Sequence, residues 1–173
     1  MNPVKDKLVD YAVYKDGGEL IGTADITLPD IEYMTETFKG TGVAGEVELL
    51  TLGQTSSMGL TINWRTINGD TTGLIVPKTH ALSFYGAQQN YNAATGDIEI
   101  EQVKVITRCL PKKGALGKFE KAAGTDTSNE MEAVYLKVVV DDITRIEIDK
   151  MNYKFNIGGY DYLEAVRRAL GKL

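Results

Sequence analysis

Gly40-Thr41-Gly42-Val43-Ala44-Gly45 is a glycine-rich run whose flanking residues decide how this chain folds. The run has the G-x-G-x-x-G spacing of a dinucleotide-binding turn, in which a buried strand leads in and a helix N-terminus receives the pyrophosphate. Here residues 31–38 are mixed and largely polar, and residues 46–50 alternate glutamate with apolar residues. Alternation with period two indicates a strand, because successive side chains of a strand point to opposite faces. The segment therefore predicts a glycine-rich hairpin tip between two antiparallel strands and no nucleotide site.

The composition is that of one globular domain. The chain has 173 residues, of which 43% are hydrophobic and 25% charged, and its net charge is −5. This length is sufficient to bury a substantial core, and the acidic balance argues against nucleic-acid binding. The single cysteine excludes an internal disulfide and a cysteine-based zinc site. We expect no signal peptide at the N-terminus and no membrane span.

Period-two segments recur along most of the chain. They predict strands at 8–15, 19–28, 58–67, 80–90, 98–110, 131–140 and 143–157. In the strand predicted at 8–15, we expect Val9, Tyr11 and Val13 on one face. Pro29 is expected to end the second strand, in which alternate residues from Leu20 to Leu28 share a face. Turns are predicted at 16–18 and 68–70, and residues 71–77 leave room for a single helical turn.

Two of these strands change phase. Ile98 and Ile100 alternate on one face and Val103 and Val105 on the other, which predicts a bulge near Gln102. A similar change within 143–157 is explained by either a bend or a turn at 149–150. Residues 131–140 are apolar on both faces and predict a central strand, whereas 111–129 predict a polar, mobile loop.

A short amphipathic helix is predicted at the C-terminal end, over about residues 160–171. Asp161 is expected to cap its N-terminus, with Glu164 completing a capping box. Leu163, Val166 and Leu170 have helical spacing, and a glycine at 171 is suited to end the helix.

The residues offer no recognisable active site. His80 and Cys109 form the only nucleophile–base pair available, and we interpret Cys109 as a buried hydrophobic residue. The paired carboxylates Glu46/Glu48 and Glu99/Glu101 are interpreted as solvated sheet faces. We predict no catalytic residue, no cofactor and no metal site. One basic cluster remains, and it is a solvated loop or, alternatively, a surface for an anionic partner; its members are Lys112, Lys113, Lys118 and Lys121.

Several short blocks occur in an order and spacing that resemble one protein family. The blocks are Ile26-Thr27-Leu28-Pro29, Phe38-Lys39-Gly40-Thr41-Gly42-Val43-Ala44-Gly45, Met58-Gly59-Leu60-Thr61-Ile62-Asn63-Trp64, Ile146-Glu147-Ile148-Asp149, Asn156-Ile157-Gly158-Gly159-Tyr160-Asp161-Tyr162-Leu163 and Arg167-Arg168. Together they resemble the major tail tube protein of contractile-tailed phages and the tubes of contractile phage-tail-like bacteriocins. The resemblance is collinear over nearly the whole chain, although residues 71–77 are shorter than the helix that the family leads us to expect there.

The resemblance implies a mainly β, antiparallel sandwich or barrel-like subunit. It implies one tail-tube domain over residues 1–173, with a long β-hairpin arm at about 31–52 and the short C-terminal helix. Such subunits form hexameric rings that stack into a hollow tube, a conduit for DNA or a device for breaching an envelope. The implied partners are other copies of the chain and the sheath, baseplate and tape-measure proteins, with DNA only as transported cargo. The implied location is a virion or phage-tail-like particle assembled in the host cytoplasm, and phage and bacteriocin both remain open.

Two surfaces follow as expectations for assembly. An open antiparallel sheet exposes strand edges, and a long glycine-rich projection is suited to reach a neighbouring subunit. The expected subunit interface is the arm segment Thr37, Phe38, Lys39, Gly40, Thr41, Gly42, Val43, Ala44, Gly45 and Glu46. The expected lumen-facing residues are Glu46, Glu48, Glu99 and Glu101, because acidic side chains would repel DNA in transit. The alternatives are a monomeric β-sandwich ligand-binding module and an enzyme with a site assembled from dispersed residues.

Overall fold

A computed structural model describes residues 3–19 and 23–172. The strands are β1 Val4–Lys15, β2 Gly18–Glu19, β3 Thr23–Thr27, β4 Tyr33–Lys39, β5 Glu46–Thr55, β6 Gly59–Trp64, β7 His80–Tyr91, β8 Ile98–Ala115, β9 Thr127–Val140, β10 Ile143–Asp149, β11 Lys154–Ile157 and β12 Tyr160–Asp161. The helices are α1 Gly69–Gly73 and α2 Glu164–Ala169. Every strand pairing is antiparallel. This confirms the predicted mainly β, antiparallel class with a hairpin arm and a short C-terminal helix.

A large sheet forms the body and branches at β9. Its strands lie in the order β12-β11-β10-β9-β8-β7-β1-β2, and β6 also pairs with β9 and carries β3 on its other edge. Residues 127–132 of β9 pair with β6, whereas residues 135–140 pair with β10. Because β9 serves both branches, its predicted position as a central strand is confirmed.

One hydrophobic core joins the branches. Alternate residues of β6 are fully or almost fully buried, and they pack with side chains of β7, β8 and β9. The buried members are Val13, Met58, Leu60, Ile62, Trp64, Leu74, Leu82, Phe84, Val105, Cys109, Met131, Ala133, Leu136, Ile148, Phe155 and Leu163. The one polar edge of the Trp64 ring is satisfied, since its Nε1 donates to Asn129 Oδ1 at 2.8 Å.

Bulges lie at places that the periodicity did not predict. The β7–β8 register runs without a shift from Ile98 to Cys109, so the prediction of a bulge near Gln102 was wrong. Ile98 and Ile100 instead stay on the face opposite Val103 and are largely exposed. The uninterrupted pairing with β7 keeps the alternation of side chains along β8 constant over residues 98–109.

The bulge in β9 falls at Val134, where Arg108 pairs with Tyr135 but Cys109 pairs with Ala133. This extra residue lies where the partner of β9 changes from β6 to β10. Strand β1 has its own register shift between Leu8 and Asp10. Val9 is consequently exposed, and the expectation that it shares the face of buried Val13 was wrong.

The structure confirms only some of the turns and loops that the sequence predicts. The turn at 16–17 and the turn that begins after Asp149 are confirmed. Asn68 caps α1, because its side chain accepts from Thr71 N while Thr71 Oγ1 accepts from Asn68 N. The loop predicted over 111–129 is shorter, since β8 continues to Ala115 and β9 begins at Thr127. Of the strand predicted at 19–28, residues 20–22 lie outside the described part.

Helix α2 is shorter than the expected 160–171, and the predicted Asp161 cap was wrong. Asp161 belongs to β12, and the helix begins after Leu163. The carboxylate nevertheless accepts from Leu163 N at 3.1 Å and from Phe155 N at 3.3 Å. At the other end Gly171 has a φ of +67° and bonds with Arg168 O, which confirms its predicted role in ending the helix.

Candidate assembly surface

The hairpin arm is a sheet of its own. Strands β4 and β5 pair only with each other among the described residues, and the first seven residues of each are exposed. The register pairs Lys39 with Glu46, and Phe38 with Val47. A strand, not a helix, follows the glycine run, so the hairpin tip predicted from its flanks is confirmed.

The two faces of the arm differ in polarity. On one face Phe38 lies opposite Val47, and Glu36 lies opposite Leu49, with Met34 further along. These four apolar side chains are between 39% and 52% exposed. On the other face Lys39 forms an ion pair with Glu46 at 3.6 Å, and Thr37 lies opposite Glu48. This face also carries Leu50, which lies opposite Thr35 and is 54% exposed. We call the two sides the apolar face and the acidic face of the arm.

The tip of the arm is shaped by glycines. Gly40, Gly42 and Gly45 all have positive φ values, of 147°, 95° and 106°. Backbone conformations of this kind are open to glycine and strained for other residues. A hydrogen bond from Val43 N to Gly40 O at 3.2 Å closes the turn between them.

The base of the arm is closed by a backbone hydrogen bond and fixed to the body by side-chain contacts. Ser56 N donates to Glu32 O at 2.8 Å, and Lys150 Nζ donates to Ser56 O at 2.6 Å. Gly53 has a φ of +65°, and a Cβ there would lie 2.5 Å from the side chain of Leu163. The start of β4 is held by Tyr33, whose ring centroid is 5.8 Å from that of Phe155. The arm is therefore anchored at its base and free along its length.

The four expected lumen glutamates lie on two different sheets. Glu46 and Glu48 share the acidic face of the arm. Glu99 and Glu101 lie on the face of β8 that carries Val103 and Val105. Glu101 accepts from Lys5 Nζ at 2.6 Å, and this hydrogen bond lowers the pKa of its carboxyl group. Glu99 accepts from Asn92 Nδ2 at 3.1 Å. A single subunit therefore brings together each pair but not the four.

A charged network crosses the opposite face of the body. Arg108 pairs with Asp149 at 3.0 Å and lies 4.3 Å from the ring centroid of Tyr135. The Tyr135 hydroxyl donates to Glu147, which also pairs with Lys154 at 3.0 Å. Burial, with the hydrogen bond to Glu147, raises the pKa of Tyr135 to about 12. Each charge here already has a partner, which is typical of a structural network.

His80 and Cys109 are neighbours but do not form a catalytic pair. They are directly opposite in the β7–β8 ladder, and both are fully buried. Cys109 Sγ bonds with Thr107 Oγ1 at 3.3 Å, and His80 Nε2 bonds with Val76 O at 3.0 Å. Burial raises the pKa of the Cys109 thiol to about 11, which disfavours the reactive thiolate.

The described ranges hold no cluster of three or more side chains suited to a metal ion. Neither α1 nor α2, the two helices of those ranges, is long and apolar enough to cross a membrane.

The sequence analysis predicted the loop of residues 116–126 as part of 111–129 but missed its exposed aromatic residue. Phe119 in this loop is 91% exposed and lies between Lys118 and Lys121. In the sequence this feature is marked only by one aromatic residue in a polar segment that contains Gly117 and Gly124. Such a composition predicts a solvated loop.

The fold is mostly antiparallel β with a projecting hairpin arm, and a comparison with known protein families identifies the family. The model of the family described as phage tail tube protein FII matches residues 5–171. The chain therefore belongs to the phage tail tube protein family, and its role is structural, as part of a phage tail or a related particle. No curated protein sequence is significantly similar to it.

Two structures solved by cryo-EM resemble the subunit. One is a chain of the sheath/tube terminator of the extracellular contractile injection system PVC in its extended state. It is 14% identical, covers 76% of this chain and 93% of that chain, and has a TM-score of 0.50. The other is a chain of the PVC sheath-tube complex in its extended state, with 13% identity, coverage of 77% and 88%, and a TM-score of 0.47. The first likeness supports the fold.

Proposed function

We propose that this chain forms hexameric rings that stack into the hollow inner tube of a contractile tail or tail-like particle. Family membership supports the tube role, and the observation that carries the assembly is the exposed apolar face of the arm. An ordered hairpin that leaves Met34, Phe38, Val47 and Leu49 in water is unfavourable for a monomer. Packing against another copy removes this apolar surface from water.

The proposed contact is the arm segment from Thr37 to Glu46. Obligate interfaces bury on the order of 2,000 Å² or more, so the arm contributes one part of a larger contact. The PVC sheath/tube terminator, whose chain resembles this subunit, supports sheath and tube proteins as its further partners. We extend the proposal to the baseplate and tape-measure proteins of the same particle, with DNA as passing cargo and no catalytic role.

Electron microscopy of the purified wild-type protein tests the proposal, because rings or tubes form only if the chain assembles. The arm is tested by the variant Gly40→Val/Gly42→Val/Gly45→Val, which we expect to stay folded but to form few tubes. The matched control is Gly17→Val/Gly96→Val, since both glycines have positive φ at other turns. Full-length tubes from the arm variant would contradict the proposed contact.

We also propose that Glu46, Glu48, Glu99 and Glu101 face the lumen of the assembled tube. Negative side chains on the inner wall would repel a DNA duplex over about 8 Å at physiological salt. The two pairs lie on separate sheets of the subunit, and a lumen exists only once subunits have formed a ring. The proposal therefore depends on ring formation and is tested after it.

A ligand-binding module is the second candidate, and one cavity favours it. The cavity has a volume of about 200 Å³ and an apolar lining that includes Leu8, Tyr11, Ile26 and Phe84. Typical ligand pockets have about 300–1,000 Å³. A more open groove, lined by Asp10, Tyr85 and Ile100 among others, has a volume of about 410 Å³. A protein that stays monomeric at all concentrations would favour this candidate over the tube.

A further inference from the structure

The loop of residues 116–126, which joins β8 to β9, presents an aromatic side chain to solvent. Phe119 is 91% exposed and Leu116 is 55% exposed. We call this segment the Phe119 loop. An aromatic residue displayed in this way is the type of side chain that anchors protein interfaces.

The base of the Phe119 loop is fixed. Lys118 N donates to Thr125 O at 2.8 Å, and Thr125 N donates to Arg65 O at 2.8 Å. Thr127 Oγ1 donates to Leu116 O at 2.9 Å. A side chain at Gly117 would collide with the carbonyl of Thr125, so the two halves of the loop touch backbone to backbone. The displayed ring therefore projects from an anchored base.

The Phe119 loop itself carries no net charge, but the end of β8 that leads into it adds two lysines, so this region is basic on an acidic protein. Residues 112–126 contain four lysines, one glutamate and one aspartate, a net charge of +2. The whole chain carries −5, so the remaining residues carry −7. Lys112 and Lys121 form no ion pair with any residue of 3–19 or 23–172. Because the rest of the chain is acidic, another copy of the chain offers this basic region a partner of opposite charge.

The arm has the complementary character. Residues 31–52 contain four glutamates and one lysine, a net charge of −3. Its apolar face presents Phe38, Val47 and Leu49 together with Glu36. Neither Glu32 nor Glu36 has an ion pair with any other described side chain. The arm thus offers apolar surface with the unpaired carboxylates of Glu32 and Glu36. The Phe119 loop offers an exposed ring with one unpaired lysine, Lys121, and the unpaired Lys112 lies on β8 just before the loop.

The two surfaces lie at opposite ends of one ladder. The arm returns to the body at residues 55–58, just before Gly59, which pairs with Glu132. The Phe119 loop ends just before Thr127, which pairs with Trp64 at the other end of β6. Complementary patches at two separate places on a subunit produce a head-to-tail contact, which closes into a ring or continues as a filament.

We infer that the apolar face of the arm of one subunit docks on the Phe119 loop of the next copy. Phe119 packs against the Phe38, Val47 and Leu49 side, while Lys112 and Lys121 face Glu32 and Glu36. This inference rests on the proposed tube function and names the surface that receives the arm.

The apolar half of the contact is tested with Phe119→Ser in the full chain. Because the ring is exposed, the variant is expected to fold normally by circular dichroism. Its critical concentration for tube formation, measured by sedimentation and electron microscopy, is expected to rise about tenfold or more. The control is Met151→Ser, which removes another side chain that is 70% exposed. An unchanged critical concentration for Phe119→Ser would overturn the inference.

The charged part of the contact is tested by reversing the charges of one surface in one variant and of the other surface in a second variant, and then mixing the two. Glu32→Lys/Glu36→Lys and Lys112→Glu/Lys121→Glu are each expected to assemble poorly alone, because like charges meet. An equimolar mixture is expected to form tubes, because every contact between unlike variants pairs opposite charges. Lys7→Glu/Lys78→Glu is the control for altered net charge. A mixture that assembles no better than either variant would overturn the inference.

The proposed tube function and the proposed docking surface can be contradicted independently of each other. If the wild-type protein forms no rings or tubes, the tube proposal is contradicted before any variant is compared. If the wild type assembles and the variants of the Phe119 loop assemble equally well, only the docking surface is wrong.

Discussion

Asp161 shows how one side chain positions the junction beside the arm. Its carboxylate accepts from the backbone of Phe155 and Leu163, and Arg167 Nη2 lies 2.8 Å away. Burial alone would raise the pKa of Asp161, but the hydrogen bonds from Arg167 and the backbone outweigh it and lower the pKa. This residue holds α2, and with it Leu163, against Gly53 at the base of the arm.

We expect Asp161→Asn to lower the free energy of unfolding by about 1–3 kcal/mol at pH 7, because hydrogen bonds to a charged group are lost. The pKa of Asp161 is lower in the folded than in the unfolded chain. The stabilisation is therefore present above the unfolded-state pKa, about 3.9, and is lost as pH falls through the folded-state pKa. Urea unfolding, followed by the fluorescence of buried Trp64, measures this difference.

The control for Asp161 is Asp126→Asn, since Asp126 is exposed and lies 3.9 Å from Lys118. That substitution is expected to change stability by less than about 1 kcal/mol. A difference between Asp161→Asn and wild type that stays the same at pH 3 and pH 7 would contradict the assigned role.

Cys109 gives a second prediction at the scale of one residue. Its side chain is fully buried, and its pKa is raised to about 11 by burial. At pH 8 the folded protein is therefore expected not to react with a disulfide reagent such as Ellman's reagent. In guanidinium chloride one thiol per chain should react. Rapid labelling of the native protein would show that β8 opens at this position.

Among the elements, the arm depends most on one close contact. Gly53 has positive φ and touches Leu163, so Gly53→Ala introduces both strain and overlap. We expect it to lower the free energy of unfolding by about 1–3 kcal/mol and to increase cleavage of the arm by proteases. Gly59→Ala is the matched control, because a Cβ at Gly59 meets nothing within 4 Å. Equal thermal unfolding of the two variants would contradict this account.

The elements that the sequence predicted correctly are those set by local pattern. The hairpin arm follows from glycines between two alternating segments, and the buried face of β6 follows from its alternation. The bulges at Val9 and Val134 could not be predicted, because each depends on the register of a distant strand. Exposed Ile98 and Ile100 misled the prediction for the same reason: periodicity does not say which apolar face is buried.

The candidate site was predictable to a similar extent. The arm, Thr37 to Glu46, was placed correctly as a projecting hairpin, although its role in contacts between subunits stays a prediction. The polar composition of the Phe119 loop predicts a solvated segment. Only the structure shows that its base is fixed by Thr125 and Thr127 while its aromatic ring is exposed.

At the scale of the whole molecule, the arm and two strands of the body have free edges among the described residues. The large sheet ends at one side with β12 and at the other with β2, each two residues long. Short edge strands protect a sheet from unwanted pairing. Strands β4 and β5 are seven and ten residues long, and in the described chain neither has a second neighbour. In the described part of the body, β3 pairs only with β6, and β1 before Tyr14 pairs only with β7, so these two strands are open to edge pairing as well as the arm.

The lumen proposal gives the last prediction, for tubes already shown to assemble. Replacing Glu46, Glu48, Glu99 and Glu101 by lysine is expected to slow DNA passage, because each lysine that meets a phosphate adds favourable counterion release. Replacement of the same four residues by glutamine removes the repulsion without adding attraction. We expect passage through the glutamine tubes to lie between that of the wild-type and lysine tubes. Raising the salt concentration should reduce the defect of the lysine tubes alone.

Tube assembly and DNA passage must be measured separately, because Glu101 forms an ion pair with Lys5. The substitution Glu101→Lys would place two lysines side by side. Tube length by electron microscopy reports assembly, and delivery of DNA by complemented particles reports passage. If the lysine tubes reach normal length and deliver DNA at the wild-type rate, these glutamates do not line the channel. The subunit would then present another face to the lumen, and the paired charges around Arg108 and Glu147 would be the next surface to reverse.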